Sequence, residues 1–207
     1  MIGVIDYGLG NVNAFLHTYK KLEIPAIAIS SVEQFNTGAN RFILPGVGSF
    51  DWAMRLFNDS GLRAELERQV IDLKAPVLGV CVGMQMLLES SEEGVEAGLG
   101  WIKGAVSRLE NSGQSSGNPL PHMGWNTIQY REGCGLLSDL GSEPDFYFLH
   151  TYVARPAEAE NSVAESDYFG SFTAAVQREN IYGTQFHPEK SHANGIKLLE
   201  NFARVEN

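Results

Sequence analysis

The chain has 207 residues, 43% of them hydrophobic, and a formal net charge of −10 at pH 7. That length and composition predict one globular domain over residues 1–207, while the acidic balance, unrelieved by a basic stripe with interleaved aromatics, argues against a nucleic-acid partner. No charged segment leads into an apolar stretch and no run of about eighteen apolar residues occurs, so secretion and membrane spanning lack support and the expectation is a soluble cytoplasmic protein.

In chain order, apolar strand-like runs at Ile2–Ile5, Ala26–Ile29, Phe42–Leu44 and Val77–Val80 alternate with segments of helical character around Val12–Leu22 and Ser49–Leu73. This is the βαβ pattern of a mostly parallel sheet with helices on its faces. The second half reads differently: Met123–Tyr130, Phe146–Val153, Phe172–Gln177 and Ile181–Phe186 are strand-like, and helical character returns only at Ala193–Ala203. Added antiparallel strands are expected there. Asn111–Pro119, NSGQSSGNP, is polar, rich in Gly and Ser and aperiodic, which predicts a surface loop rather than a linker. No internal repeat is present.

Ligands of open α/β sheets gather at the carboxyl ends of the strands. Asp6-Tyr7-Gly8 ends the first run, Pro45-Gly46-Val47-Gly48 the third, and Cys81 the fourth. The Asp6–Asn11 segment, DYGLGN, lacks the third glycine of a dinucleotide fingerprint. Gly79-Val80-Cys81-Val82-Gly83, in contrast, has the spacing of a nucleophile elbow, in which flanking glycines leave room for a sharp strand-to-helix turn. Such a turn sets Cys81 at a helix N-terminus, where thiolate is favoured and the Val82 N–H can face a developing oxyanion. A buried cysteine is the plainer alternative.

A thiol is mostly protonated at neutral pH, so a base is needed. In QFHPEK, His187 follows a strand end and Glu189 stands two residues on, positioned to orient the ring and stabilise its charged form. A lone strand-end histidine more often packs or is solvated. The glycines of Leu44–Gly48 allow a main-chain N–H to turn toward an oxyanion, or simply make a tight turn. Together the three features are the parts of acyl transfer. The two cysteines, Cys81 and Cys134, lack zinc-site spacing and disulfide density. Neither they nor His17, His122 and His192 call for a metal, and no cofactor is expected. Cys134 reads as structural or exposed, and His150 as packing at a strand end, with contact to the substrate site as the other possibility.

LPGVGSF, GVCVGMQMLLESSEEG, PHMGWN, FYFLHTY and YGTQFHPEKS occur in the order found in triad-type (class I) glutamine amidotransferases. With IDYGLGN at the start, the chain resembles the glutaminase subunits of imidazole glycerol phosphate synthase from Met1 to about Phe202. The resemblance implies a three-layer α/β fold in which Cys81 is the nucleophile, His187 the general base and acid, and Glu189 its orienting carboxylate. It further implies oxyanion donors at Val82 and, after a peptide flip, Val47, and a glutamine site at Gly48, Gln85, Glu93, Thr151 and Tyr152. The strand-like segment His122, Met123, Gly124, Trp125, Asn126, together with Lys190, matches positions near the partner interface. Trp125 reads equally as an anchor there or as core.

The implied partner is a (β/α)8-barrel synthase subunit that takes up the ammonia at one face and converts PRFAR to imidazole glycerol phosphate and AICAR at the other. Two positions depart from the pattern: Asn11 runs into VNAFLHTYKKL, and Val82 stands where leucine is common. They resemble instead paralogous subunits of surface-polysaccharide gene sets, which supply ammonia to a sugar-nucleotide amidotransferase. A peptidase or deglycase with the same elbow, and a non-catalytic regulatory subunit, are the remaining alternatives.

Overall fold

The first four strands form where the apolar runs lie: β1 (Ile2–Ile5), β2 (Ala26–Ile29), β3 (Arg41–Gly46) and β4 (Val77–Cys81). The structure is a computed structural model that describes residues 1–110 and 119–205; the loop expected over Asn111–Pro119 lies, except for Pro119, outside them. Helix α1 (Val12–Lys21) starts at Asn11, whose side chain accepts from the Ala14 N–H at 3.2 Å, and closes on Lys20 and Lys21, which suit the negative end of the helix dipole. The helical stretch expected from Ser49 to Leu73 is two helices, α2 (Phe50–Asp59) and α3 (Arg63–Glu67), the latter running into a π turn over Arg68–Asp72. The break has a local cause. Ser60 Oγ donates to Phe57 O and accepts from Leu62 N–H, and Gly61 takes the left-handed φ of +75° that stops a helix. A short helix α4 (Val82–Met86) follows β4 at once.

The second half contributes β5 (Ser90–Ser91), β6 (Gly104–Arg108), β7 (His122–Thr127), β8 (Gln129–Tyr130), β9 (Asp145–His150), β10 (Tyr152–Pro156), β11 (Ser162–Asp167), β12 (Ser171–Arg178), β13 (Ile181–Thr184) and α5 (His192–Phe202). Among the described residues eleven strands share one sheet, along the order β2-β1-β3-β4-β13-β12-β10-β6-β5, with β11 on β12 and β8 on β11. The strands from β2 to β13 run parallel, and the pairs β13–β12, β12–β10 and β10–β6 are antiparallel. β7 and β9 form a separate antiparallel ribbon. The runs expected as single strands, Met123–Tyr130 and Phe146–Val153, therefore each break, at Ile128 and Thr151, where the chain leaves the ribbon and joins the main sheet.

Strand β4 is buried along its whole length, as a central parallel strand covered on both faces must be. Helix α1 packs with α5, tied by the Tyr19 hydroxyl donating to Leu199 O at 3.1 Å, and α2 packs on α4. Phe15, Phe42, Phe50, Phe57, Phe146, Phe172, Phe186 and Phe202 fill the core. Each is worth about 1.5–3 kcal/mol of transfer free energy. No helix among the described residues is long and apolar enough to cross a membrane.

Candidate active site

The register of the sheet sets the site. Gly46 on β3 stands beside Cys81 on β4, and Thr184 on β13 beside Val80, so the carboxyl ends of three adjacent parallel strands open on one point. Cys81 itself has φ 56° and ψ −113°, a strained conformation for a residue with a side chain, of order 1–3 kcal/mol. Close packing enforces it: a Cβ on Gly83 would collide with Leu44 O, and one on Gly46 with Gly83 N. The elbow predicted from the glycine spacing is present. Helix α4 behind it has only five residues, so it offers its first unpaired N–H groups, Val82 foremost, rather than the field of a long helix.

His187 is held by its backbone to β9, its N–H donating to Tyr147 O at 2.9 Å while the Ser191 hydroxyl donates to His187 O at 2.6 Å. Pro188 opens the single 3₁₀ turn that brings Glu189 back under the ring. His187 Nδ1 lies 2.8 Å from Glu189 Oε1, each side chain 3% exposed, and the Cys81 side chain is close enough to act on the ring. Burial opposes charge on the imidazole, yet the hydrogen bonds and negative charges of Cys81 and Glu189 prevail and carry its pKa up to about 9. A protonated ring held against Glu189 is the form this arrangement favours. Glu189 Oε2 has no hydrogen-bond partner among the described residues, so nothing competes with the ring for the carboxylate charge.

A cavity of about 330 Å³ opens over Cys81 and His187, and Val47, Gly48, Val82, Gln85, Glu93, Thr151 and Tyr152 line it. Gly48, at φ +89°, makes the turn that places Val47 at the rim. Glu93 is anchored by the Phe50 N–H, 2.8 Å from Oε2, and its loop is clamped to α2 where Asp51 accepts from the Val95 and Glu96 N–H groups. Gln85 has its amide nitrogen committed inside the protein, donating to Tyr152 O and Gln185 Oε1 at 3.1 Å each. Arg108, Pro121 and Leu149 also line the cavity, and sequence reasoning did not select them for it; His150, for which contact with the substrate site is the lesser alternative from sequence, lines it as well. Arg108 lies on β6, a strand without an apolar signal, and His150 is both a packed strand-end residue and a wall of the cavity. Cys134 is buried and its thiol pKa raised by that burial, in keeping with a structural role.

The HMGWN segment is β7, and strand alternation divides it. Met123 and Trp125 are 64% and 50% exposed, whereas His122 is 2% exposed. Trp125 is thus not core; it leans on Tyr147 and His192 at the surface. His122, expected at an interface, is turned inward, because its side of the ribbon packs on Phe148 and Tyr168. Gly124 and Asn126 are half-buried, and Lys190 lines the cavity with its ammonium 5.7 Å from the Tyr147 ring centroid. Among the described residues no group of three or more His, Cys, Asp or Glu side chains is placed to hold a metal.

The glutamine amidotransferase class-I family model matches residues 3–205. The chain is 46% identical to the imidazole glycerol phosphate synthase subunit HisH of Bdellovibrio bacteriovorus and 48% identical to that of Leptospira interrogans, over 99% of this chain and 100% of each relative. A crystal structure of a glutamine amidotransferase superposes with a TM-score of 0.72 at 19% identity, covering 99% of both chains. One of a GMP synthase subunit from Thermoplasma acidophilum gives the same score at 18% identity, over 98% of this chain and 92% of that one. With the elbow, the histidine–carboxylate pair and the fold in agreement, the chain belongs to the class I glutamine amidotransferases, among the HisH subunits of imidazole glycerol phosphate synthase.

Proposed function

We propose that Cys81, His187 and Glu189 are the triad with which this subunit hydrolyses L-glutamine to glutamate and ammonia, and that a (β/α)8-barrel synthase subunit receives the ammonia to convert PRFAR into imidazole glycerol phosphate and AICAR in the cytoplasm. The observation that carries the reading is the convergence of the strained Cys81 and the His187–Glu189 pair at the floor of one cavity. The Cys81 thiolate attacks the side-chain carbonyl carbon of glutamine, and the oxyanion forms against the N–H of Val82 and one from the Gly46–Gly48 turn, Val47 after a flip. Protonated His187 gives its proton to the departing nitrogen as the C–N bond breaks, which releases ammonia. Water then loses a proton to His187 and attacks the thioester, glutamate leaves, and the thiolate–imidazolium pair is restored. Glu93 suits the α-ammonium of the substrate, and Arg108 and Lys190 offset its α-carboxylate.

Free ammonia is mostly protonated at neutral pH, so it must pass directly to the acceptor. The exposed Met123, Trp125, Leu149 and Val47 supply an apolar docking face, and Val47, Leu149 and Lys190 belong also to the cavity wall. The test is ammonia release from L-glutamine by the complex with its synthase subunit, with PRFAR turnover followed in parallel. Cys81→Ala is expected to abolish release while leaving the complex intact. Full activity in that variant refutes the nucleophile, and turnover of an N-acetylated sugar nucleotide in place of PRFAR reassigns the acceptor.

A further inference from the structure

The mechanism leaves two buried histidines and one buried glutamine without a role. His122 Nδ1 lies 2.9 Å from His150 Nε2, and His150 Nδ1 lies 3.1 Å from Tyr152 O. A carbonyl oxygen only accepts, so His150 carries its proton on Nδ1 and accepts at Nε2; His122 must then donate from Nδ1 and accept at Nε2, where Asn126 Nδ2 stands at 3.3 Å. The same carbonyl fixes the far side. Gln85 can meet Tyr152 O only through its NH2, which also donates to Gln185 Oε1, and the Gln185 NH2 is left pointing at Cys81 Sγ, 3.7 Å away.

We infer that this chain of bonds, in which Asn126, His122 and His150 donate in turn toward Tyr152 O and Gln85 donates both to that carbonyl and on to Gln185, is a positioning device that holds the Gln185 N–H on the Cys81 sulfur and ties it to the partner-facing ribbon. Gln185 is fully buried, so its amide has no water to turn toward, and a donor fixed on sulfur favours thiolate over thiol. The His122 ring is stacked between Phe148, 4.8 Å away at 22°, and Tyr168, 4.0 Å away at 25°, which prevents it from flipping its nitrogens. Burial also keeps both rings neutral, with His122 down at about 4 and His150, beside it, at about 3, so the proton order survives across the working pH range. The other ionisable groups that act on Cys81, His187 with Glu189 behind it and Tyr7 from the end of β1, lie outside the chain of bonds and stay in place when it is cut.

The inference rests on Cys81 as nucleophile, but its test reads the thiol directly, so its failure is distinct from that of the Cys81→Ala experiment. In a Cys134→Ser background, the rate of Cys81 alkylation by iodoacetamide is measured against pH on the full chain. Gln185→Leu is expected to raise the apparent thiol pKa by about one unit, with alkylation about tenfold slower on the acid side. Gln185→Met, of similar length and without a donor, gives the same shift and covers the case in which leucine prevents folding. His122→Phe, which keeps the stack and cuts the chain at the ribbon, gives a smaller rise in the same direction, and adding it to Gln185→Leu gives no further rise. A parent-like profile in a folded Gln185 variant or in His122→Phe, or full additivity of the two, overturns the inference.

Discussion

Replacing Glu189 by glutamine removes a charge and little else, since an amide oxygen can still accept from His187 Nδ1–H across the 2.8 Å contact. In the parent, the rise of the His187 pKa from 6.5 to about 9 is worth about 3 kcal/mol of proton affinity at about 1.4 kcal/mol per unit. A hydrogen bond to a charged partner supplies about 1.5–3 kcal/mol of that, so Glu189→Gln should lower the pKa by about one to two units, to between about 7 and 8. In the proposed mechanism the ring must be protonated to release ammonia. The glutaminase rate of the complex, followed by ammonia production across pH at constant ionic strength, should therefore fall near pH 9 in the parent and one to two units lower in the variant. Stability carries the same signature. A raised histidine pKa contributes stability that is complete below about 6.5 and is lost as pH rises through about 9. Urea unfolding should show that loss in the parent, and the variant should complete it at lower pH. If the alkaline limbs of parent and variant superimpose, Glu189 does not hold the charge on His187.

Two further outcomes follow from contacts at the site. Gly83→Ala drives a Cβ into Leu44 O and onto the backbone of Pro45, so thermal and urea unfolding should show about 1–3 kcal/mol of destabilisation. The displaced Gly46–Gly48 turn should cost about a hundredfold in kcat, since about 1 Å of misplacement suffices for that; parent-like values would refute the tight-elbow account. Glu93→Gln keeps an acceptor for the Phe50 N–H but loses the charge proposed to face the substrate's α-ammonium. KM for glutamine should rise about tenfold or more with kcat less affected, and an unchanged KM would remove Glu93 from substrate binding.

Much of the fold was legible because its signals are local. Ile2–Ile5 and Ala26–Ile29 are apolar runs of strand length whose observed bounds match the reading, and the helical segment read around Val12–Leu22 is α1. Strands β6 and β11, GAVSR and SVAESD, carry too few apolar residues to announce themselves and are strands because neighbours supply their hydrogen bonds. Alternation in β7 was legible as a pattern, but which side faces protein depends on the ribbon with β9, and so His122 and Trp125 were placed on the same footing when they lie on opposite sides.

The sequence by itself determined the elbow and the pairing of His187 with Glu189, since glycine spacing and a proline-stiffened turn act within a few residues. That Cys81 is a strained residue held against Gly46 depends on the register of β3 with β4, which only the assembled sheet decides. Tertiary structure likewise decided that Gln185, 104 residues along the chain, points its amide at that sulfur. A side chain's partner across such a separation is set by which strands become neighbours. Here β13 inserts beside β4, and no local pattern in either segment records that choice.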